Sequence, residues 1–492
     1  MPMQMARHGR HDMTSILWLC RDFRFDDNAA LTAACAEGPV LPVFLIDAAT
    51  RAQGAASRWR LGRALVCFDA AWRARTGEHI TVLEGEAADL LPDLAARIGA
   101  RAIHHNDWPT EVMQAAQAGL RQRLDSDPPS SDQFPSGQPR SAPTRLHLHE
   151  GHLLIHPAAV KTGTGGSFRV YTPFARAVRL AGPDRPVPSP SRLVALPALG
   201  PLRASQLALA PDMYRGAAVL TEHALPVGEA AAFARLDAFW DRIADYATQR
   251  DRPDIDATSG LSEHLALGEI SPRRIWAMAR LRAETTPALA LGVEKFLAEL
   301  LWREFAWHLL LAFPRMAQTP WRAEWAEFPW QGANPAAEAW ARAATGIALV
   351  DAGLREMRVT GRMHNRVRMV VASWLTKHLL TDWRIGLAHF EDSLTDWDPA
   401  ANAMNWQWVA GCGPDASPFF RIFNPDKQAA SFDPEGRYRN HWLSGQGAQA
   451  YRATLPPSWK SAEIWRPADQ GPLLDQGRKR ALSALETFKR LH

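Results

Sequence analysis

The segment AELLWREF (residues 298–305) sets a carboxylate, an indole and a guanidinium on one side of a helix, because Glu299, Trp302 and Arg303 fall at i, i+3 and i+4. Such a face suits a nucleobase stacked on the indole and hydrogen-bonded along its edge, with the Arg on a nearby phosphate. The plainer reading is an exposed Glu–Arg pair beside a core Trp. In GRMHNRVRMVVASWL (361–375) the same spacing groups Asn365, Arg368 and Met369. In DWDPAANAMNWQWVAG (396–411) Asn402 and Trp406 share a face, while Trp408 points roughly the opposite way. One indole can then face a buried cofactor and the other a separate cavity. TSGLSEHLALGEISPRRIW (258–276) opens with hydroxyls ahead of a helix, which offers donors to an anion; taken alone it reads more simply as a helix cap. KTGTGG (161–166) neither follows a clear strand nor opens a helix, so it reads as a turn rather than a phosphate loop.

Positioning these groups takes large, rigid elements, and the 492-residue chain has the material for two to four domains. With 47% apolar and 22% charged residues it reads as a globular protein, which excludes disorder, collagen and a disulfide-stapled miniprotein. No apolar run is long enough to span a membrane, and the basic N-terminus has no apolar stretch behind it, so neither a membrane span nor a secretory signal is expected. Cys20, Cys35, Cys67 and Cys412 form no CxxC pair, so no metal site is expected and a reducing cytoplasm fits. Net charge is +4, so a nucleic-acid face must be a local patch. Twenty Trp against five Tyr is an excess that calls for a π-system explanation.

Residues 13–150 alternate strand signals (16–20, 40–47, 80–85, 101–106, 145–150) with helical stretches such as 57–75 and 86–99. This predicts a mostly parallel sheet covered on both faces. The polar, Pro/Ser-rich stretch 125–143 reads as a surface loop. Residues 151–228 read as a long connector with little periodicity, and 229–492 as a helical domain whose tail ends in a helix. The fold class is therefore α/β plus all-α: an N-terminal parallel-sheet domain, a connector and a C-terminal helical domain.

Several long motifs in order and spacing make the chain resemble the photolyase/cryptochrome flavoprotein family, and within it the class that repairs cyclobutane pyrimidine dimers. They are WLCRDFRFDDNAAL (18–31), RVYTPFARA (169–177), TSGLSEHLALGEISPR, LLWREF, MHNRVRM, DWRIG and the NWQW segment with DASPFFRIFNP after it. The resemblance implies FAD in the helical domain, with phosphate and ribose contacts from Tyr246, Thr258, Ser259, Gly260, Leu261, Ser262 and Arg303. It further implies an Arg368–Asp396 ion pair beside the flavin ring, a polar contact from Asp398, and Asn402 facing flavin N5. Glu299 and Asn365 would hydrogen-bond a flipped-out dimer, walled by Trp302, Met369 and Trp408, and Trp406, Trp383 and Trp330 would carry an electron from the surface to the flavin. The implied partner is UV-damaged DNA, single- or double-stranded, acted on by a cytoplasmic monomer with no membrane attachment. A blue-light photoreceptor is the alternative.

His364-Asn365 stands where relatives that repair (6-4) photoproducts carry a His-His pair, and only Cys412 lies where iron–sulfur relatives need four cysteines. Three departures are evident: Arg362 where an aromatic is common, Cys20 in place of a basic residue, and HHNDWPTEVM (104–113), which does not follow the folate-binding pattern. An antenna pigment in the sheet domain is accordingly open between methenyltetrahydrofolate, a deazaflavin, a second flavin or none.

Overall fold

The computed structural model describes residues 13–126, 143–211, 213, 217–415, 419, 421–456, 468 and 470–491. Residues 127–142 of the expected surface loop lie outside that set.

Strands β1 (Ser15–Leu19), β2 (Val40–Ile46), β3 (Thr81–Glu84), β4 (Ala102–Asn106) and β5 (Arg145–His149) form a parallel sheet in the order β3-β2-β1-β4-β5. β1, β2 and β4 are buried along their whole length. The apolar runs of β1 and β2 follow from that, since a parallel strand is covered on both faces, while β4 buries polar residues with partners: His105 Nδ1 contacts the Trp18 carbonyl at 2.8 Å and Asn106 donates to Asp22 at 2.7 Å. Pro42 sits inside β2 without breaking it. Val40 bonds Val194 and Leu196 on the β3 side, so Pro42, two residues on, turns its missing N–H to the same side, just ahead of Val43, where β3 begins to pair.

The helices that build the site are α1 (Ala55–Thr76), α2 (Tyr171–Ala181), α3 (Glu229–Trp240), α4 (Ser262–Ala266), α5 (Ala290–Ala312), α6 (Asn365–Ser373), α7 (Trp383–Ser393), α8 (Pro399–Ala410) and the C-terminal α9 (Gln470–Leu491). A π-helical turn, Trp374–His378, follows α6. Local chemistry explains several ends. Asp398 caps α8, Pro399 opens it and Gly411 closes it at φ 90°. At α6 the cap is an imidazole: His364 Nδ1 accepts the Arg366 N–H at 3.2 Å. Burial holds His364 down at about 4, so the ring is neutral and able to accept.

The chain divides into two compact units. One comprises Met1–Ala52, Ala64–His152 and Pro186–Leu207; the other comprises Gln53–Arg63, Leu153–Arg185 and Ala208–His492. These units cut across the segments expected from sequence. The stretch 151–228 is shared between them rather than forming a separate connector, and it contains a helix, α2. α2 is clearly amphipathic, burying Phe174, Ala175 and Val178 on one side, and Pro173 sits in its first turn, where no intrahelical N–H is lost. The start of α1 counts with the helical unit for two reasons. An added Cβ on Gly54 would lie 1.9 Å from the Glu391 carbonyl oxygen, and Arg60 is wholly enclosed among helical-unit carboxylates. Much of the Trp excess is packing: Trp18, Trp72, Trp307, Trp340 and Trp383 are fully buried.

Candidate functional site

The loop Thr258–Ser262 is held from behind. Arg235 on α3 donates through Nε to the Ser259 carbonyl (2.8 Å) and through Nη2 to that of Thr258 (3.2 Å), and it pairs with Asp256 at 2.5 Å. Arg242 adds a second bond to Asp256 (2.6 Å), and these two basic partners outweigh burial to hold its carboxyl below the usual range. With its carbonyls turned to a guanidinium, the loop leaves its hydroxyls and N–H ends for an anion. The helix that follows, α4, has only five residues, so its dipole contributes little and the loop itself makes the site. Arg235 and Asp256 carry no motif signal, and sequence reading missed them.

Gly260 has φ +62°, and an added Cβ would meet Arg235 Nε at 2.7 Å. Gly260→Ala therefore costs roughly 1–2 kcal/mol of backbone strain and dislodges the Arg235 clip. The expected result is a lower flavin-to-protein absorbance ratio after gel filtration, with the fold intact by circular dichroism; an unchanged ratio contradicts the clip.

A second polar group lies around α6 and α8. Arg368 Nη2 contacts both oxygens of Asp396 (3.0 and 2.8 Å), and its Nε donates to the Met363 carbonyl (2.8 Å). Asp398 uses one oxygen to accept the Ala401 N–H (2.7 Å) and the other to accept Trp307 Nε1–H (2.9 Å), so it is a helix cap fixed by a buried indole. Asn402 is buried one turn into α8 and donates through Nδ2 to the Asp398 carbonyl (3.0 Å). Tyr246 is buried with its ring edge-on to Phe239 and Phe296. Arg303 donates to the adjacent Glu304 at 2.5 Å, a pairing not foreseen from the helical face.

Arg362 Nε lies 3.8 Å from Glu263 Oε1, and the His364 ring is hydrogen-bonded to the backbone of Arg250. The donor set of loop hydroxyls and amides, Arg guanidinium groups and the Asn402 amide fits a flavin dinucleotide.

The remaining face is formed by α5 and α6. Trp302 is half-buried, with the Tyr171 ring lying parallel to it at 3.7 Å. Glu299 pairs with Arg250, and with Lys295 at 3.3 Å, rather than with Arg303 as the plainer reading would have it. Arg366 holds Asp251 at 2.7 Å, next to Arg250 in the chain. Asn365 is exposed at the first turn of α6, and Met369, one turn on, is half-buried with Arg366 against its sulfur (3.9 Å).

On α8, Trp406 is buried and Trp408 only partly so, both packed against the same apolar core. Trp406 packs edge-on to Phe390 (5.0 Å) and Trp340 (6.3 Å), and meets α7 at Gly386, where an added Cβ would lie 2.1 Å from its ring. Trp383 is one turn earlier on α7. A parallel bridge pairs Gln331 with Thr381, placing Trp330 close to the start of that helix, against Phe328 and Phe419. No group of His, Cys, Asp and Glu among the described residues is arranged to hold a metal ion.

Two family models match the chain: DNA photolyase over residues 15–191 and the FAD-binding domain of DNA photolyase over residues 296–464. The chain is 38% identical over 429 residues to a deoxyribodipyrimidine photo-lyase of Agrobacterium fabrum, covering 86% of this chain and 85% of that one. Its fold is similar to the crystal structure of a bacterial class III photolyase from Agrobacterium tumefaciens, with a TM-score of 0.82, 34% identity and coverage of 97% and 98% of the two chains. A cryptochrome from Synechocystis sp. is also similar, with a TM-score of 0.79, 25% identity and coverage of 95% and 99%.

Proposed function

The chain belongs to the DNA photolyase family, and from that we propose that it is an FAD-carrying enzyme that uses light to repair cyclobutane pyrimidine dimers in DNA. Reduced FAD, when bound, supplies the photochemistry: light drives an electron to the dimer, the cyclobutane ring opens, and the electron returns without net redox change.

The residues have separate tasks. Thr258, Ser259, Gly260, Leu261 and Ser262, with Tyr246 and Arg303, hold the diphosphate and ribose. Arg368, held in place by Asp396, turns its guanidinium to the ring and favours negative charge there in a low-dielectric site, and Asn402 faces the ring from α8. Trp302, Met369 and Trp408 wall the space for the flipped dimer, and Glu299 and Asn365 hydrogen-bond its polar edges. Flipping costs least for a base pair already distorted by damage, which favours dimers over intact pyrimidines. Trp406, Trp383 and Trp330 form the route by which oxidised flavin is reduced in light. Arg side chains around the opening hold the DNA backbone, so affinity falls with salt. The enzyme works as a cytoplasmic monomer on single- or double-stranded DNA. No described helix is long and apolar enough to cross a membrane. The sheet unit is assigned to a second, light-harvesting pigment.

The observation that supports this reading most is the half-buried Trp302 indole beside the paired Glu299, on the same helical unit as the Arg368–Asp396 ion pair. The test is illumination of the reduced, flavin-loaded protein with dimer-containing oligonucleotide. Trp408→Ala is expected to weaken dimer affinity by about 5- to 150-fold, the range for losing one base–aromatic stack, while flavin content stays constant. Absence of light-dependent repair in the parent protein refutes the activity; wild-type dimer affinity in Trp408→Ala refutes the pocket.

A further inference from the structure

We propose that Tyr171 is a positioning residue for lesion binding: it braces the Trp302 wall and ties it to the segment that follows Trp408. This rests on the reading of Trp302 as a lesion wall.

A half-buried indole on a helix surface has several rotamers open to it, whereas a stacking wall works only in one. Tyr171 removes that freedom. Its ring lies on Trp302 at 3.7 Å with planes 3° apart, and both rings meet Phe305 edge-on, at 6.0 and 5.9 Å. Its hydroxyl donates to the Ala298 carbonyl at 2.8 Å, on α5 one turn before Trp302. Tyr171 thus grips both the indole and the turn of helix that carries it, and because it covers one indole face, only the other is left for a base.

The second attachment runs through the backbone. Tyr171 is the first residue of α2, and Val170 before it provides no side-chain cap. The missing cap comes from elsewhere in the chain: the Tyr171 N–H donates to Asp415 Oδ2 at 3.2 Å. A carboxylate at a helix N-terminus is favourable. Asp415 holds φ +47°, a left-handed conformation that Asp tolerates better than most residues. It lies in the loop after α8, the helix carrying Trp408. One residue therefore ties the Trp302 wall to the loop that follows the Trp408 helix, although it lies 127 positions from Ala298 and 244 from Asp415.

The test measures affinity for a dimer-containing oligonucleotide and for its undamaged counterpart, using flavin-loaded protein in the dark. Tyr171→Leu removes the ring and is expected to weaken dimer binding by about 2- to 12-fold, the cost of re-ordering one freed side chain. Undamaged-DNA affinity and flavin content stay constant. Tyr171→Phe keeps the ring and recovers most of the loss. Asp415→Ala touches neither ring, is on the exposed loop, and is expected to give a smaller loss confined to dimer-containing DNA. Trp302→Ala is the reference. If it weakens dimer binding while Tyr171→Leu and Asp415→Ala do not, the brace is refuted and the wall stands. If Trp302→Ala itself leaves dimer binding intact, the wall reading falls and takes the brace with it. Equal losses for damaged and undamaged DNA in Tyr171→Leu also refute the proposal.

Discussion

Replacing Arg60 with Ala is expected to destabilise the protein by about 3–5 kcal/mol, the usual cost of removing one partner from a buried ion pair. That is a large part of the roughly 5–15 kcal/mol by which a domain is stable. Arg60 is fully enclosed and contacts Glu269 through two nitrogens at 2.9 and 2.8 Å, and Glu263 through Nε at 3.3 Å. His264 adds a 2.5 Å contact to Glu269, and Thr395 donates to Glu263 at 2.5 Å. Burial pushes the Glu269 carboxyl up, but His264 and Arg60 outweigh it and hold the group below the usual range. Without the guanidinium, enclosed Glu269 keeps only His264, and Glu263 only the Thr395 hydroxyl and Arg362 at 3.8 Å. Glu263 directly follows Ser262, so the variant also loosens the Thr258–Ser262 loop and releases flavin earlier in a urea titration. Arg60→Met combined with Glu269→Gln removes both charges and is expected to recover part of the loss. A shift below about 1 kcal/mol for Arg60→Ala, within the range of an exposed pair, contradicts the enclosed network.

His378 is expected to make the protein acid-labile by about 3 kcal/mol. The ring is buried on the π-helical turn, stacked on Trp374 at 4.5 Å, and burial, with Arg480 nearby, lowers it from 6.5 to about 4. The folded protein therefore keeps the ring neutral where the unfolded chain would protonate it. Between pH 6.5 and 4 the unfolded state binds more protons, so acidification draws the equilibrium toward it, by about 1.4 kcal/mol per pH unit. Above pH 6.5 the effect is absent. Glu304 and Glu356, whose carboxyls burial raises, act in the opposite direction, so the whole-protein slope is not the measure of His378. The measure is the difference between the parent and His378→Gln: their unfolding free energies should diverge steadily below pH 6.5, with the variant losing less. Parallel pH profiles sink the claim.

What could be read without coordinates follows the reach of backbone geometry. Helical spacing put Glu299, Trp302 and Arg303 on one face, and sent Trp406 and Trp408 to different sides of α8, because 3.6 residues per turn acts over neighbours. Apolar runs such as ILWLC and VLPVFLI marked buried parallel strands. The 11-residue α2, although amphipathic, was not read as a helix because it is short and set among Pro- and Gly-rich neighbours.

The partners of those residues were decided only in the tertiary structure. Nothing near Glu299 in sequence points to Arg250, nothing near Trp302 points to Tyr171, and the run around Arg60 reads as an ordinary helix although its charge answers Glu269, 209 positions away. Spacing along a chain orients a side chain within its own element; which distant group satisfies its charge, covers its ring or caps its helix depends on how separate elements pack, and local pattern carries no record of that.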